Sequence, residues 1–216
     1  MQQRMRLEFS RADEAKFASH LDLIRAWHRA MRRASIPLAY SEGYTPHPRI
    51  SLAAPLPVGV TSAAEMMDVY LSRRMSSLTF VKGLSAQCPP GLSVLAAEEV
   101  PLSLPSLQSL VRSAEYEVTC PTAVSTGAVR NSIQAFLDAE TFPWEHRRDT
   151  GVRQYDLRPL VFNLTLEEWT PEGFKVSMHL RLDTQGAGRP DQVIAALGFG
   201  EEYTSIHRTR IHLSED

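Results

Sequence analysis

The chain has 216 residues, room for one large domain or two small ones, and its 43% hydrophobic and 22% charged content is that of an ordinary globular protein. A formal net charge of −2 excludes a generally basic nucleic-acid coat, so any nucleic-acid surface must be local. Cys88 and Cys120, far apart and outside any CxxC, exclude a cysteine-built zinc site or iron–sulfur cluster within the chain; with no apolar run of the roughly 18 residues a span needs and no signal peptide, a cytoplasmic protein with no membrane contact is expected.

Arg4 to Ser10 alternates apolar and charged residues and predicts a strand. Leu23, Ile24, Trp27, Ala30, Met31 and Ala34 then fall on one side of a helix turning about 100° per residue. Arg25, Arg29, Arg32 and Arg33 fall on the other side with Asp22. Ser19 is the predicted N-cap, with Asp22 in a capping-box position, and Pro37 is expected to stop the helix. The arginines admit two readings, a solvated face or a strip facing phosphates, which the guanidinium fork matches bidentately.

Next comes a loop dense in polar and aromatic groups: Tyr40, Ser41, Tyr44, His47 and Arg49, with Gly43 able to turn at positive φ and Pro46 and Pro48 bracketing His47. A stiff loop costs little entropy to order around a ligand, which suits a binding site, although its tyrosines could equally cover the core. Ile50 to Pro57 predicts a short strand and Glu65 to Ser72 another, with Met67, Val69 and Leu71 on one side. Ser76 to Cys88 is a helical pattern with Leu78, Val81 and Leu84 as its apolar stripe, and Leu92 to Val100 a strand. That order, β-α-β-β-α-β, is the split βαβ or ferredoxin-like arrangement. Pro101 to Pro105 punctuates the chain, giving a first domain over 1–105 and a second over 106–216.

The second half repeats the pattern without repeating the sequence. Ala114 to Cys120 predicts a strand, and Thr126 to Ala139 a helix with Val129, Ile133, Phe136 and Leu137 as its stripe. Trp144 to Arg148 predicts a short exposed strand, and an insertion is expected around 150–170, which contains an alternating run from Leu160 to Leu166 and is followed by a strand at Phe174 to Leu182. A short helix starts at Arg189-Pro190-Asp191, and Thr204 to Leu213 closes as a strand whose Ile206 and Ile211 are out of phase, which predicts a bulge or cover on both faces. The expected fold is therefore α+β: two tandem ferredoxin-like units with antiparallel sheets and helices on one face.

Among the 7 histidines none has the HxxxH, HxH or HExxH spacing of a metal site, so no metal is expected, with a centre assembled across the fold from His20, His47 and a carboxylate as the alternative. His28 reads as a core-edge residue and His179 as solvent-facing, while His20 and His47 are the candidate catalytic groups. The absence of GxSxG, Walker A and Rossmann fingerprints implies no cofactor of those classes. Gly186 and Gly188 ahead of Arg189 could hold an anion on backbone N–H groups, and with Asp156, Arg158, His207 and Arg208 they form a candidate second polar patch. Asp156 and Arg158 read equally as a salt bridge fixing the insertion.

His20 to Leu23 (HLDL), Arg32-Arg33, Ala39 to Ser51 (AYSEGYTPHPRIS), Asp156 to Pro159 (DLRP), the GxGRPD stretch ending at Asp191 and Ile206 to Thr209 (IHRT) together resemble the radical SAM-linked protein family, DUF2344. Where that family often carries Phe-Asn after the glycine, this chain has Tyr44-Thr45 and keeps His47-Pro48-Arg49. The resemblance implies a B12-binding radical SAM protein as partner, which would carry the cluster cysteines, and gene company with ribonucleases and ribosomal proteins. Three functions follow as expectations. One is a non-catalytic accessory that binds tRNA or rRNA through Arg25, Arg29, Arg32, Arg33 and the 40–49 loop. The second is an interaction module docking on the partner without RNA. The third is a metal-independent endoribonuclease resembling the CRISPR repeat-processing nucleases, with His20 as acid or base and either Tyr40 or His47, together with Arg49, steadying the phosphate.

Overall fold

A computed structural model describes residues 2–121, 124–148, 151–200 and 203–214. The chain divides into two compact units, Met1–Val111 and Arg112–Asp216. Both are mixed α+β, and every strand pair with a resolved register is antiparallel.

The first unit runs β1 (Gln3–Arg11), α1 (His20–Arg33), β2 (Ile50–Leu52), β3 (Thr61–Leu71), α2 (Ser77–Ser85), β4 (Leu92–Val100) and a single turn, α3 (Leu107–Leu110). β1 lies between β3 and β4, and β2 adds to the other side of β3, so the order is β4-β1-β3-β2. Strand alternation sends Met5, Leu7 and Phe9 of β1 and Met67, Val69 and Leu71 of β3 to one face. There they join Leu23, Trp27, Ala30 and Met31 of α1 and Phe80 and Leu84 of α2 in one buried cluster. Phe9 and Trp27 meet edge to face with centroids 5.0 Å apart. The opposite parity of the same strands is polar: Arg4, Arg6, Asp68 and Tyr70.

Ser19 caps α1 as its spacing predicts. Its hydroxyl accepts the Asp22 N–H at 3.2 Å and donates to the Asp22 carboxylate at 2.7 Å. The helix ends earlier than the proline requires. Ser35 takes a left-handed φ of 55°, the Ile36 N–H bonds the Met31 carbonyl and the Ser35 N–H that of Arg32. This is a Schellman closure, so local hydrogen bonding stops α1 two residues before Pro37 acts. In α2 the stripe is Phe80 and Leu84, and Leu78 points to solvent at 78% exposure. The Ser76 cap sets the phase of that short helix, and the larger ring takes the core. β2 closes at Leu52 rather than Pro57, although Ala53 adds one further bond to Met66.

The second unit runs β5 (Val111–Pro121, its first residue closing the first unit), α4 (Thr126–Asp138), β6 (Pro143–Arg148), β7 (Gly151–Asp156), β8 (Val161–Thr170), β9 (Gly173–Asp183), β10 (Gly186–Ala187), α5 (Pro190–Ala196) and β11 (Ser205–Leu213). β9 pairs with β5 and β8, and β11 lies beside β5, giving β8-β9-β5-β11 with β10 extending β9. Alternate residues of β5 and β9 are buried, from Ala114 to Cys120 and from Phe174 to Leu180, as are Val129, Ile133 and Phe136 of α4. The inserted piece is the β6–β7 hairpin over 143–156, earlier than expected, because Val161–Thr170 is a full strand paired to β9. Thr150, at the expected start of the insertion, lies outside the described residues. In β11 burial changes parity between Arg208 and Ile211, in keeping with the out-of-phase isoleucines.

Candidate nucleic-acid interface

α1 brings its arginines to one side of the first unit, but the structure uses them differently. Arg33 donates to the Gln87 side chain at 3.1 Å and the Gln87 carbonyl at 2.8 Å, so its fork closes the C-terminal end of α2 rather than waiting for a ligand. Arg25 pairs with Asp22 at 3.6 Å, both largely exposed, a contact that contributes little. Arg29 and Arg32 are exposed and have no hydrogen-bond partner among the described residues. The Ser19 hydroxyl holds the Asp22 carboxyl below its usual range, with Arg25 and Arg29 adding to the effect. His20, exposed at the first position of the helix, has no bonded partner among the described residues.

The 40–49 loop is closed at its neck. Ser41 N–H bonds the His47 carbonyl at 2.8 Å and its hydroxyl takes the His47 N–H at 3.0 Å, while Tyr40 bridges Pro48. Arg49 N–H reaches Ala39, Ala39 N–H reaches Tyr70, and Tyr70 N–H returns to Arg49, tying the base of the loop to β3. The tip, from Glu42 to Pro46, is left exposed with Gly43 at φ 122° and Tyr44 at 110% exposure.

Helix and loop meet through one contact. His28 Nε2 lies 3.1 Å from the Tyr40 hydroxyl and the rings stand edge to face at 6.0 Å. Burial pushes the His28 imidazole below its ordinary value, helped by Arg32 beside it, so at neutral pH it is the uncharged partner of Tyr40. Sequence reasoning placed His28 at the core edge; in the structure it joins the arginine face to the loop. Arg49 lies over the Tyr70 ring at 5.2 Å. Arg4 approaches the same ring at 5.7 Å and belongs to a buried group the sequence reading missed. Arg4 and Arg6 both donate to Asp68, at 2.5 Å and 3.0 Å, and Arg4 also binds the carbonyls of Leu104 and Pro105. Alternation in β1 and β3 put these residues on one face; only the pairing of the strands shows that they share a carboxylate.

The second patch does not assemble as an anion site. Asp156 accepts the N–H groups of Phe142 and Arg158, and the Arg158 guanidinium donates to the carbonyls of Leu137 and Val161, so each side chain fastens backbone at the foot of the hairpin rather than pairing with the other's charge. Arg189 is paired to Asp191 at 3.1 Å. Arg208 is buried and donates to the Tyr116 hydroxyl, and His207, also on β11, is half-buried. A Cβ on Gly188 would sit 2.7 Å from the Leu160 carbonyl oxygen, and one on Gly186 2.7 Å from the Leu160 side chain. Those glycines are there for close packing on Leu160, not to cradle an anion. His179 is half-buried rather than solvent-facing. It bonds Ser113 at 2.8 Å beside His212, which pairs with Glu115 at 2.7 Å, and burial lowers its pKa with His212 adding to the effect. Among the described residues no group of three or more His, Cys, Asp or Glu could hold a metal ion, and no helix is long and apolar enough to cross a membrane.

No curated protein matches the chain. Among solved structures it is similar in fold to a chain in the crystal structure of a Cbf5-Nop10-Gar1 complex, with a TM-score of 0.51 and 11% identity over 94% of this chain and 48% of that one. A chain of the archaeal box H/ACA sRNP Nop10-Cbf5 complex (TM-score 0.47, 14% identity, 97% and 49% covered) also matches. So does one from an H/ACA RNP bound to a substrate RNA containing 2'-deoxyuridine (0.47, 12%, 94% and 47%). The protein spans about half the length of these solved chains. A family model described as an uncharacterized protein conserved in bacteria covers residues 4–190, and the chain belongs to that family, DUF2344.

Proposed function

We propose that this protein is a non-catalytic RNA-binding accessory that meets the RNA backbone through α1 and the 40–49 loop. The observation that carries this is the juxtaposition made by His28 and Tyr40: two exposed guanidinium groups with no hydrogen-bond partner among the described residues, Arg29 and Arg32, stand on the helix that meets a loop pinned at its neck with a fully exposed tyrosine at its tip. Arginine forks suit phosphates, and an exposed ring on a stiff loop suits an unstacked base. Arg25, His47 and Arg49 border this surface; Arg33, Asp156, Arg158, Arg189 and Arg208 have protein partners and are left out of it. The likeness to the Cbf5-Nop10-Gar1 chain supports the fold, while the RNA reading rests on the side chains.

We further propose that each unit is a ferredoxin-like domain, since the first, second, third and fourth main strands of each lie in the order 4-1-3-2. A role beside a B12-binding radical SAM protein, in translation or RNA modification, rests on the family resemblance. Binding to tRNA and rRNA fragments across a salt series tests the RNA reading. Affinity should fall steeply with salt, and Arg29→Ala and Arg32→Ala should each reduce the slope by about 1. Weak binding that ignores salt counts against it.

A second reading, docking on a protein partner without RNA, is favoured by Phe17 and Leu21, 72% and 62% exposed at the start of α1. Co-purification with the partner that survives high salt and nuclease would support it. The endoribonuclease reading has no comparable support, because no contact joins His20 to Tyr40 or His47 among the described residues and the Tyr40 hydroxyl is engaged by His28.

A further inference from the structure

The β6–β7 hairpin and α5 enclose a cavity of about 400 Å³ between them, within the second unit. Trp144 and Tyr203 bring aromatic rings to it, and Gln192 contributes from α5. Gln192 is only 4% exposed, and its amide is half used: the oxygen accepts the Tyr155 hydroxyl, while Nε2 has no partner among the described residues. The indole Nε1 of Trp144 is likewise buried and unpartnered. Buried donors without acceptors are rare and costly, and two belonging to residues of one cavity point to a ligand that brings acceptors. Glu145, His146 and Asp191 also line the cavity, two carboxylates against one imidazole with no arginine or lysine among the described lining residues, which disfavours an anion. What remains is a flat, uncharged molecule with hydrogen-bond acceptors on its edge. Both N–H groups are closed off in this structure, so a ligand reaches them only when the Trp144 side chain moves, and the hairpin that carries it is hydrogen-bonded strand to strand as its own two-stranded sheet.

We propose that this cavity binds a nucleobase, stacked on Trp144 and Tyr203 and read on its edge by the N–H groups of Trp144 and Gln192. The choice of a nucleobase rests on the RNA reading above, but the site shares no residue with the α1 surface.

Free nucleosides, which carry no phosphate, separate the two. The intact protein is titrated calorimetrically with uridine, cytidine, adenosine and guanosine. Saturable binding of at least one is expected, with Kd raised tenfold or more by Tyr203→Ala, a rim substitution outside the core, and by Trp144→Phe, and unchanged by Arg29→Ala/Arg32→Ala. Gln192→Met, which keeps bulk and removes the donor, should weaken it similarly if thermal unfolding shows the variant folded. No saturable binding of any nucleoside by the wild type overturns the proposal, as does binding that persists in both Tyr203→Ala and Trp144→Phe. Nucleoside binding together with salt-insensitive RNA binding would sink the α1 reading alone.

Discussion

At the scale of single residues, the most consequential group is one no motif announced. Arg4, Arg6 and Asp68 are all buried, with two guanidinium groups sharing one carboxylate and Arg4 completed by two backbone carbonyls. Removing the carboxylate's charge would leave both cations buried and undercompensated, so Asp68→Asn is expected to cost about 3–5 kcal/mol, read as a lower urea midpoint at unchanged m-value. The histidines set a pH response. His28 and His179 are both held below the ordinary histidine value chiefly by burial. A base that binds its proton more weakly when folded leaves stability complete above about pH 6.5 and lets it decline as pH falls from there through the folded value. Stability should therefore drop as pH falls below about 6.5, and His28→Asn and His179→Asn should each flatten that drop. A slope unchanged in both variants would contradict the assignment.

At the scale of elements, much was legible because the signals are local. The stripe of α1, its Ser19 cap, the alternation in β1 and β3 and the stripe of α4 depend on residues a few positions apart, and the helix and strand repeats set them. Failures came where two local signals competed. Pro37 was the stronger word in the sequence, yet Ser35 ends α1 by adopting φ 55°. Ser35→Gly should accordingly raise stability by about 0.5–1 kcal/mol, since a left-handed conformation costs a side-chain-bearing residue more than it costs glycine, and Tm reports it. The Gly186 and Gly188 turn looked like an anion cradle and is a packing device. Gly188→Ala, which drives a methyl against the Leu160 backbone oxygen, should destabilise by more than about 1 kcal/mol in the same melt.

At the scale of the whole molecule, a net charge of −2 coexists with a surface where Arg29 and Arg32 are exposed and have no hydrogen-bond partner among the described residues. All the residues of that surface fall within the first unit, Met1–Val111, which has its own apolar cluster. A fragment ending at Val111 is expected to unfold cooperatively in urea and to keep RNA affinity within about threefold of the intact chain. Composition, periodicity and capping determined by themselves that the chain is α+β and where its helices and most strands run, because each depends on neighbours along the chain. Tertiary structure alone decided which charges are occupied: Arg33 by Gln87, Arg158 by Leu137, Arg4 and Arg6 by Asp68. A polar side chain's partner lies up to a hundred residues away, and only the order in which strands pair brings the two within hydrogen-bonding distance.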